Sequence, residues 1–361
     1  LIFSNLKKHL KYPLTTDSVE GSIGLPFLAF QIVLIMDDPK ISIALGIYNG
    51  SRFLEQQVKS IFSQQFHHWN LLVRDDHSQD NSIQILKCLC ADKNQISIDQ
   101  EKFENQGAIK NFSVLLEESM STSSEYVALA DQDDVWDPNK LSEQLSLMKQ
   151  VEAKFPDQPV LIYSDMEVVD ESLNLIAPSY MQYQGIQHET SNPLRVLLAQ
   201  NFVTGCTILV NRQLLKIALP IPDEAQMHDW WLALCAATFG QIAYVNKPLL
   251  KYRQHGSNEV GAKSLFKLLN PFQNNYYQFW SKGRERVLGS IQQARVLADR
   301  VRKYDCSNSS LAMIEGYAQL QKKHPLQRVK KISELRIHAQ SNLRHLLMLS
   351  RLINLSTIKG G

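Results

Sequence analysis

Four stretches of this chain carry side chains able to do chemistry: Asp75-Asp76, Asp131-Gln132-Asp133-Asp134, His228-Asp229 and Arg253-Gln254-His255. The first two close apolar runs, WNLLVRDD (69–76) and EYVALADQDDVW (125–136). Each run reads as a strand, which puts both acidic groups at carboxyl ends of strands. In an open parallel sheet that edge is where ligands bind. Two acidic clusters converging there repel each other unless a cation or hydrogen-bond donors lie between them. A divalent metal carrying a phosphorylated ligand answers that repulsion economically. Arg253 adds a guanidinium, which matches phosphate geometry. Gly256 beside His255 lets that segment bend over a ligand. His228 and Asp229 open an apolar helix, where an Asp is also an ordinary N-cap.

The elements that must position these groups alternate. ISIALGIY (41–48) is β-rich and apolar, and Asn49-Gly50 ends it. Phe53, Leu54, Val58, Ile61 and Phe62 then recur at helical spacing within 51–65. A strand at 69–76, a helix at 81–91, a short strand at 96–100 and a helix at 109–120 follow. A strand at 125–136 and a helix at 139–154 complete the series. Strands alternating with helices predict parallel strands joined by right-handed crossovers, an α/β architecture. Further on, 160–170 reads as a strand, 193–201 as a helix and 202–211 as a loop feeding a strand. A helix at 227–240 and one or two strands with a polar loop at 242–258 come next. Beyond residue 262 the spacing predicts three helices, 273–304, 309–323 and 326–355.

Composition bounds the class. The 361 residues are 44% hydrophobic and 20% charged, an ordinary globular balance, and 15 Gly and 13 Pro exclude a collagen-like chain. No apolar run approaches the ~20 residues of a membrane-spanning helix. Five Cys without a CxxC pair argue against a disulfide scaffold or zinc cluster. Cys88 and Cys90 are expected to pack as small apolar residues in a reducing cytosol. The net charge of +2 hides a division: residues 1–261 hold 20 Lys and Arg against 31 Asp and Glu, a net of −11, while residues 262–361 hold 18 against 5, a net of +13. The chain starts at Leu1 and its first Met is Met36. An apolar run at 24–36 follows Lys7, Lys8 and Lys11, as in a signal peptide, but no small-residue cleavage site succeeds it. The expectation is a start at Met36, with an N-terminal extension at 1–39 that is poorly ordered or not native. A catalytic domain at 40–261 and a basic helical region at 262–361 complete the expected organisation.

Taken together, ISIALGIYNGSRFLEQQVKSIFSQQ, VRDDHSQDNS, ALADQDDVW, NFVTGCTILVN, MHDWWLAL and YRQHGSN resemble the family 2 glycosyltransferases of GT-A fold. DQDDVW, HDWW and RQHGSN are especially similar to bacterial rhamnosyltransferases that use dTDP-L-rhamnose. The resemblance spans 41–261, six motifs in the family's order, and implies a nucleotide-diphospho-sugar transferase fold. It implies that Tyr48 lies near the donor base and that Asp76 accepts the ring N–H of uracil or thymine, a donor cytosine lacks. It implies that Asp131 contacts the ribose, and that Asp133 ligates Mg²⁺ or Mn²⁺ bridging the two phosphates, with His255 completing the metal site and Arg253 pairing with the diphosphate. Asp229 matches the base that takes the acceptor hydroxyl proton in inverting transfer. Trp230 and Trp231 would line the acceptor subsite, and Asn201, Thr204 and Gly205 would shape the loop beneath the donor sugar. The residues alone leave core packing open for Tyr48 and the tryptophans, a turn cap for Asp75, a helix cap for Asp229 and a surface position for Lys110.

The implied function is metal-dependent transfer of a sugar, from dTDP-L-rhamnose or a UDP-sugar, to a glycan or lipid-linked acceptor in surface polysaccharide synthesis. A catalytically inactive sugar-binding or scaffold protein is the alternative outside enzymes. A nucleotidyltransferase fits poorly, because YNGSRF lacks a Gly-rich basic phosphate loop. The basic tail shows no nucleic-acid module. Its helices would either sit on anionic lipid, making the protein cytoplasmic and peripheral on the inner face of a bacterial plasma membrane, or pack on the catalytic domain.

Overall fold

The computed structural model describes residues 40–91, 93–101, 104–256, 276–305 and 309–356; the extension expected at 1–39 lies outside the described residues. Strand β1 (Ile41–Ile47) runs between β2 (Trp69–Asp75) and β4 (Tyr126–Ala130), parallel to both, and β3 (Ile96–Gln100) pairs in parallel with β2. β1 and β4 are almost wholly buried, which is why they read as unbroken apolar runs and not as alternating ones. The other strands make the sheet mixed. β8 (Leu209–Asn211) is antiparallel to β4 and to β6 (Val160–Val169), and β9 (Gln241–Arg253) runs parallel to β6. Short β5 (Val135–Trp136) pairs antiparallel with β9, and β7 (Leu175–Ala177) with β6. The order is β3-β2-β1-β4-β8-β6-β9-β5, with β7 beside β6. The reversal at β8 has a local cause. The chain enters it from the carboxyl edge of β4, through a 3₁₀ turn at Gly205–Thr207, and must run back along β4.

Helices cover both faces. Ile41, Ile43, Leu45 and Ile47 point to one side, against Leu54, Val58 and Ile61 of α1 (Leu54–Phe62) and Leu86 of α2 (Ser82–Cys90). Ala44, one position out of phase, faces the other side with Phe112 and Leu115 of α3 (Ala108–Ser121). The period of two along the strand divides the core in this way. On the first side lies α4 (Lys140–Lys154), through Leu141, Leu145 and Met148. On the second lie α6 (Pro193–Leu197), α7 (Arg212–Ala218) and α8 (His228–Phe239), while α5 (Tyr180–Gln184) follows β7. α8 is buried almost all round, as a helix apolar on every face must be.

The basic region folds as α9 (Tyr276–Tyr304), α10 (Leu311–Ala318), α11 (Pro325–Leu335) and α12 (Asn342–Ile353). The single helix expected at 326–355 is two, because Arg336 adopts a left-handed φ of 54° and ends α11. The strand expected at 125–136 also divides: β4 stops at Ala130 and the acids turn before β5. Conversely, 241–253 is one long strand with register shifts where two were conceivable. The C-terminal helices share the catalytic core: Val287, Ile291 and Leu297 of α9, Ile314 of α10 and Leu352 of α12 join the cluster of Trp231 and Leu234. Arg300 donates to the carbonyls of Ile217, Leu219 and Pro220. Arg344 donates to those of Gln184 and Gly185. Among the described residues, no helix is long and apolar enough to cross a membrane.

Candidate active site

The acids gather where the chain turns at the carboxyl edge of β4. Pairing of β5 with β9 sets Val135 opposite Lys251 and Trp136 opposite Leu250, which carries the end of β9 to the acidic turn. His255 Nε2 lies 2.7 Å from Asp133 Oδ2, so two groups 122 residues apart meet. The turn is held from several directions. Gln57 Nε2 donates to the Asp131 carbonyl at 2.9 Å. Gln132 clasps the end of β1, accepting from Tyr48 N at 2.8 Å and donating to Tyr48 O at 2.9 Å.

Arg253 departs from the expectation that it pairs with a diphosphate. It is 1% exposed. Its Nε donates to the Asp133 carbonyl at 2.9 Å, and its terminal nitrogens donate to the Glu171 carbonyl and to Gln56 Oε1. The guanidinium also lies over the Phe53 ring, 4.5 Å from its centroid. A guanidinium committed to fixed protein oxygens on all three nitrogens is a brace: it ties the acidic turn to the residues before and after it in space.

Beneath the turn lies a group that sequence reasoning missed. Single ligand atoms of Asp131, Asp134 and Cys206 lie within 4.8 Å of one another. Asp134 is fully buried, and burial, then the charges of Asp133 and Asp131, push its carboxyl well above the usual carboxylate range. Burial raises the Cys206 thiol as well, so sulfur there is a thiol and a poor ligand for a hard cation. Lys140, also fully buried, is pushed down to about 7 by the same desolvation; its Nζ donates to Gln144 Oε1 at 2.9 Å and sits over the Trp136 ring. Gln132 and Cys206 stand inside the motifs DQDDVW and NFVTGCTILVN without being singled out there, whereas nothing in the local pattern marks Lys140.

Just past the end of β1, Tyr48 is 45% exposed, so core packing is not its role. Asp75 caps its turn by accepting from Ser78 N at 3.0 Å. Asp76 is buried, and its carboxylate accepts from Asn105 Nδ2, Gln106 N and Gly107 N at 2.8–2.9 Å. It thereby fixes the loop into α3, in which Gly107 takes a φ of 83° that other residues rarely adopt. The loops after β1 and β2 are tied together by Asn49 N to Ser78 Oγ and Gln79 N to Asn49 Oδ1, both 2.8 Å. Lys110 is exposed on α3.

Asp229 is the second residue of α8, in its first turn, and not its cap, which is Met227. Asn201 Nδ2 donates to its Oδ1 at 3.2 Å and Gly205 N to its Oδ2 at 3.0 Å. These donors and the helix N-terminus favour the carboxylate. Beside it His228 is buried and stacked on Phe112, ring centroids 4.1 Å apart. Burial pulls its imidazole down to about 3, so it is neutral. The turn Gly205–Thr207 joins the two halves: Gly205 holds Asp229, and Cys206 reaches Asp131 and Asp134.

The tryptophans correct the sequence expectation. Trp230 is buried with Nε1 donating to the Leu197 carbonyl at 2.6 Å; Trp231 is wholly buried with Nε1 donating to the Ala218 carbonyl at 2.8 Å. Both indoles satisfy their one donor inside the core, so neither lines an acceptor subsite. For a metal, the Asp133 carboxylate and the His255 imidazole lie 2.7 Å apart and bring two ligand atoms to one point, while Asp131 groups with Asp134 and Cys206 instead. That set fits Mg²⁺ or Mn²⁺.

The profile described as Glycosyl transferase family 2 matches residues 42–216. A dTDP-rhamnosyl transferase, RfbG of Shigella flexneri, is 28% identical over 250 residues, 65% of this chain and 81% of that protein. An Escherichia coli UDP-Glc:alpha-D-GlcNAc-diphosphoundecaprenol beta-1,3-glucosyltransferase, WfgD, is 27% identical over 222 residues, 60% of this chain and 78% of that one. Among solved structures, S. aureus TarS 1–349 with UDP-GlcNAc aligns over 87% of this chain and 88% of its own at 15% identity, with a TM-score of 0.49. The matched segment runs from β1 into α7, takes in both acidic strand ends, and is a glycosyl transferase family 2 domain.

Proposed function

We propose that the protein is an inverting, metal-dependent glycosyltransferase of surface polysaccharide synthesis that moves L-rhamnose from dTDP-L-rhamnose to a glycan or lipid-linked acceptor in the cytoplasm. The observation that carries the reading is the shared turn at Gly205–Thr207, which couples the residue holding Asp229 to the acidic group below Asp131. Asp229 takes the proton of the acceptor hydroxyl as that oxygen attacks the anomeric carbon; the donors Asn201 Nδ2, Gly205 N and Trp230 N keep its oxygens aimed. Tyr48 covers the base, and Asp76 orders the loop beside it while meeting the ring N–H that thymine and uracil share. Asp131 meets the ribose. Asp133 and His255, 2.7 Å apart, would hold the divalent ion. Bound there, it offsets the negative charge that builds on the departing diphosphate. Arg253 keeps Asp133 and His255 at one spacing.

The rhamnose assignment is supported by the similarity to a dTDP-rhamnosyl transferase. A UDP-sugar is the second reading, favoured by the similarity to a protein named for UDP-Glc, which carries the same ring N–H. A donor screen over dTDP-L-rhamnose, UDP-Glc and UDP-GlcNAc with Mg²⁺ or Mn²⁺ decides between them. Asp133→Ala and Asp229→Asn are the controls. Turnover of dTDP-L-rhamnose, lost in both variants, is expected. Full transfer by Asp229→Asn would overturn the base assignment, and no turnover of any donor would favour an inactive sugar-binding protein.

A further inference from the structure

The inner faces of the C-terminal helices are accounted for by the core; an outer face of α12 is not. Leu343, Leu346, Ser350 and Ile353 recur at i, i+3, i+7 and i+10, one face of a helix. Leu343, Leu346 and Ile353 are exposed, Leu346 by 63%, while Met348 and Leu352 on the opposite face are buried. Arg344 and Arg351 clamp that inner side, the first on the carbonyls of Gln184 and Gly185 and the second over Phe279 and Trp280. Among the described residues, the outward leucines therefore serve no packing purpose. On α11, which packs against α12, Leu326 is 72% exposed. Four of the eight exposed large hydrophobic residues among those described belong to these two helices.

The charge around this surface is one-sided. Residues 320–356 hold eight Lys and Arg against one acid, Glu334. Arg328, Arg344 and Arg351 are used internally, whereas Lys322, Lys330 and Arg336 are exposed. Exposed aliphatic side chains flanked by free cations fit a phase that is apolar inside and anionic at its surface. A second copy of this chain would set like charges against each other. We propose that the outer face of α11 and α12 docks on an anionic lipid surface, with Leu326, Leu343, Leu346 and Ile353 entering the headgroup boundary and Lys322, Lys330 and Arg336 pairing with lipid phosphates. The proposal is independent of which sugar is moved.

Co-sedimentation of the full chain with phosphatidylcholine vesicles, with and without about 30% phosphatidylglycerol, tests it. Binding is expected to the anionic vesicles alone and to weaken as salt is raised. Leu346→Gln with Ile353→Gln, and separately Lys322→Gln with Lys330→Gln and Arg336→Gln, should each lower the vesicle affinity about tenfold or more. Helical content and donor hydrolysis in solution should be unchanged, which separates failure here from failure of the catalytic assignment. No binding to anionic vesicles, or wild-type binding by the leucine variant, overturns the proposal. So does a dimer, detected by light scattering, that the leucine variant dissolves.

Discussion

Gly205→Ala is the sharpest probe of how Asp229 is held. An added Cβ would stand 2.9 Å from His228 Nε2 and 3.6 Å from Asp229 Cβ. Relief to ordinary contact needs a shift of about 0.5 Å. His228 has little room to supply it, being buried and stacked on Phe112. The turn must move instead, and Gly205 N, now 3.0 Å from Asp229 Oδ2, would retreat to about 3.5 Å, where the hydrogen bond is lost. A hydrogen bond to a charged group contributes about 1.5–3 kcal/mol net. If that bond orients the base as the acceptor proton departs, kcat should fall about 10- to 150-fold. The donor KM should hold, because the residues assigned to the base and diphosphate do not move. Initial rates of transfer against donor concentration measure both. His228→Ala in the same chain opens space for the new methyl group, so the double variant should recover most of the lost kcat. Refutation is equally direct: Gly205→Ala with kcat within about twofold of wild type, or a double variant no faster than the single, would show that the Gly205 contact does not serve catalysis.

Three further outcomes are expected. Arg253→Lys keeps a cation but cannot reach three oxygens at once, so Mn²⁺ affinity followed by electron paramagnetic resonance of the donor-free protein should drop about tenfold or more; unchanged affinity would remove the brace. His228 is held neutral by burial, with its imidazole lowered from 6.5 to about 3. Its contribution is complete above the unfolded value of about 6.5 and is lost as pH falls toward 3, at about 1.4 kcal/mol per pH unit, because only the unfolded chain takes the proton. Unfolding free energies from urea titrations should fall by about 0.4 kcal/mol from pH 7.5 to 6.5 and by about 1 kcal/mol from 6.5 to 5.5, approaching that slope, and His228→Leu should flatten the fall. Trp231→Phe should cost about 1–3 kcal/mol in urea unfolding by leaving the Ala218 carbonyl unpaired, with acceptor KM unaltered; a raised acceptor KM at wild-type stability would restore the acceptor-subsite assignment.

What could be read from the sequence was whatever local pattern controls. Strands β1, β2 and β4 are buried on both faces, so their residues must be apolar throughout, and the acids after them stand out as ends. The same contrast exposed the Asp75 and Asp131 groups, and helical spacing exposed the basic helices that the structure describes from Tyr276 onward. What the tertiary structure alone decided was which polar groups already have partners. Arg253 looks like a phosphate ligand until its three nitrogens meet Asp133, Glu171 and Gln56. Trp230 and Trp231 look like a sugar platform until α8 is seen to be buried on every side. Lys140 carries no local signal and Cys206 lies in its motif with no role attached, because their significance is burial beside Asp134, produced by chain segments 66 residues apart. Periodicity is a property of neighbours along the chain and survives in the sequence. Desolvation and hydrogen-bond satisfaction are properties of neighbours in space, and they exist only once β5 has paired with β9 and the turn at Gly205 has closed on Asp229.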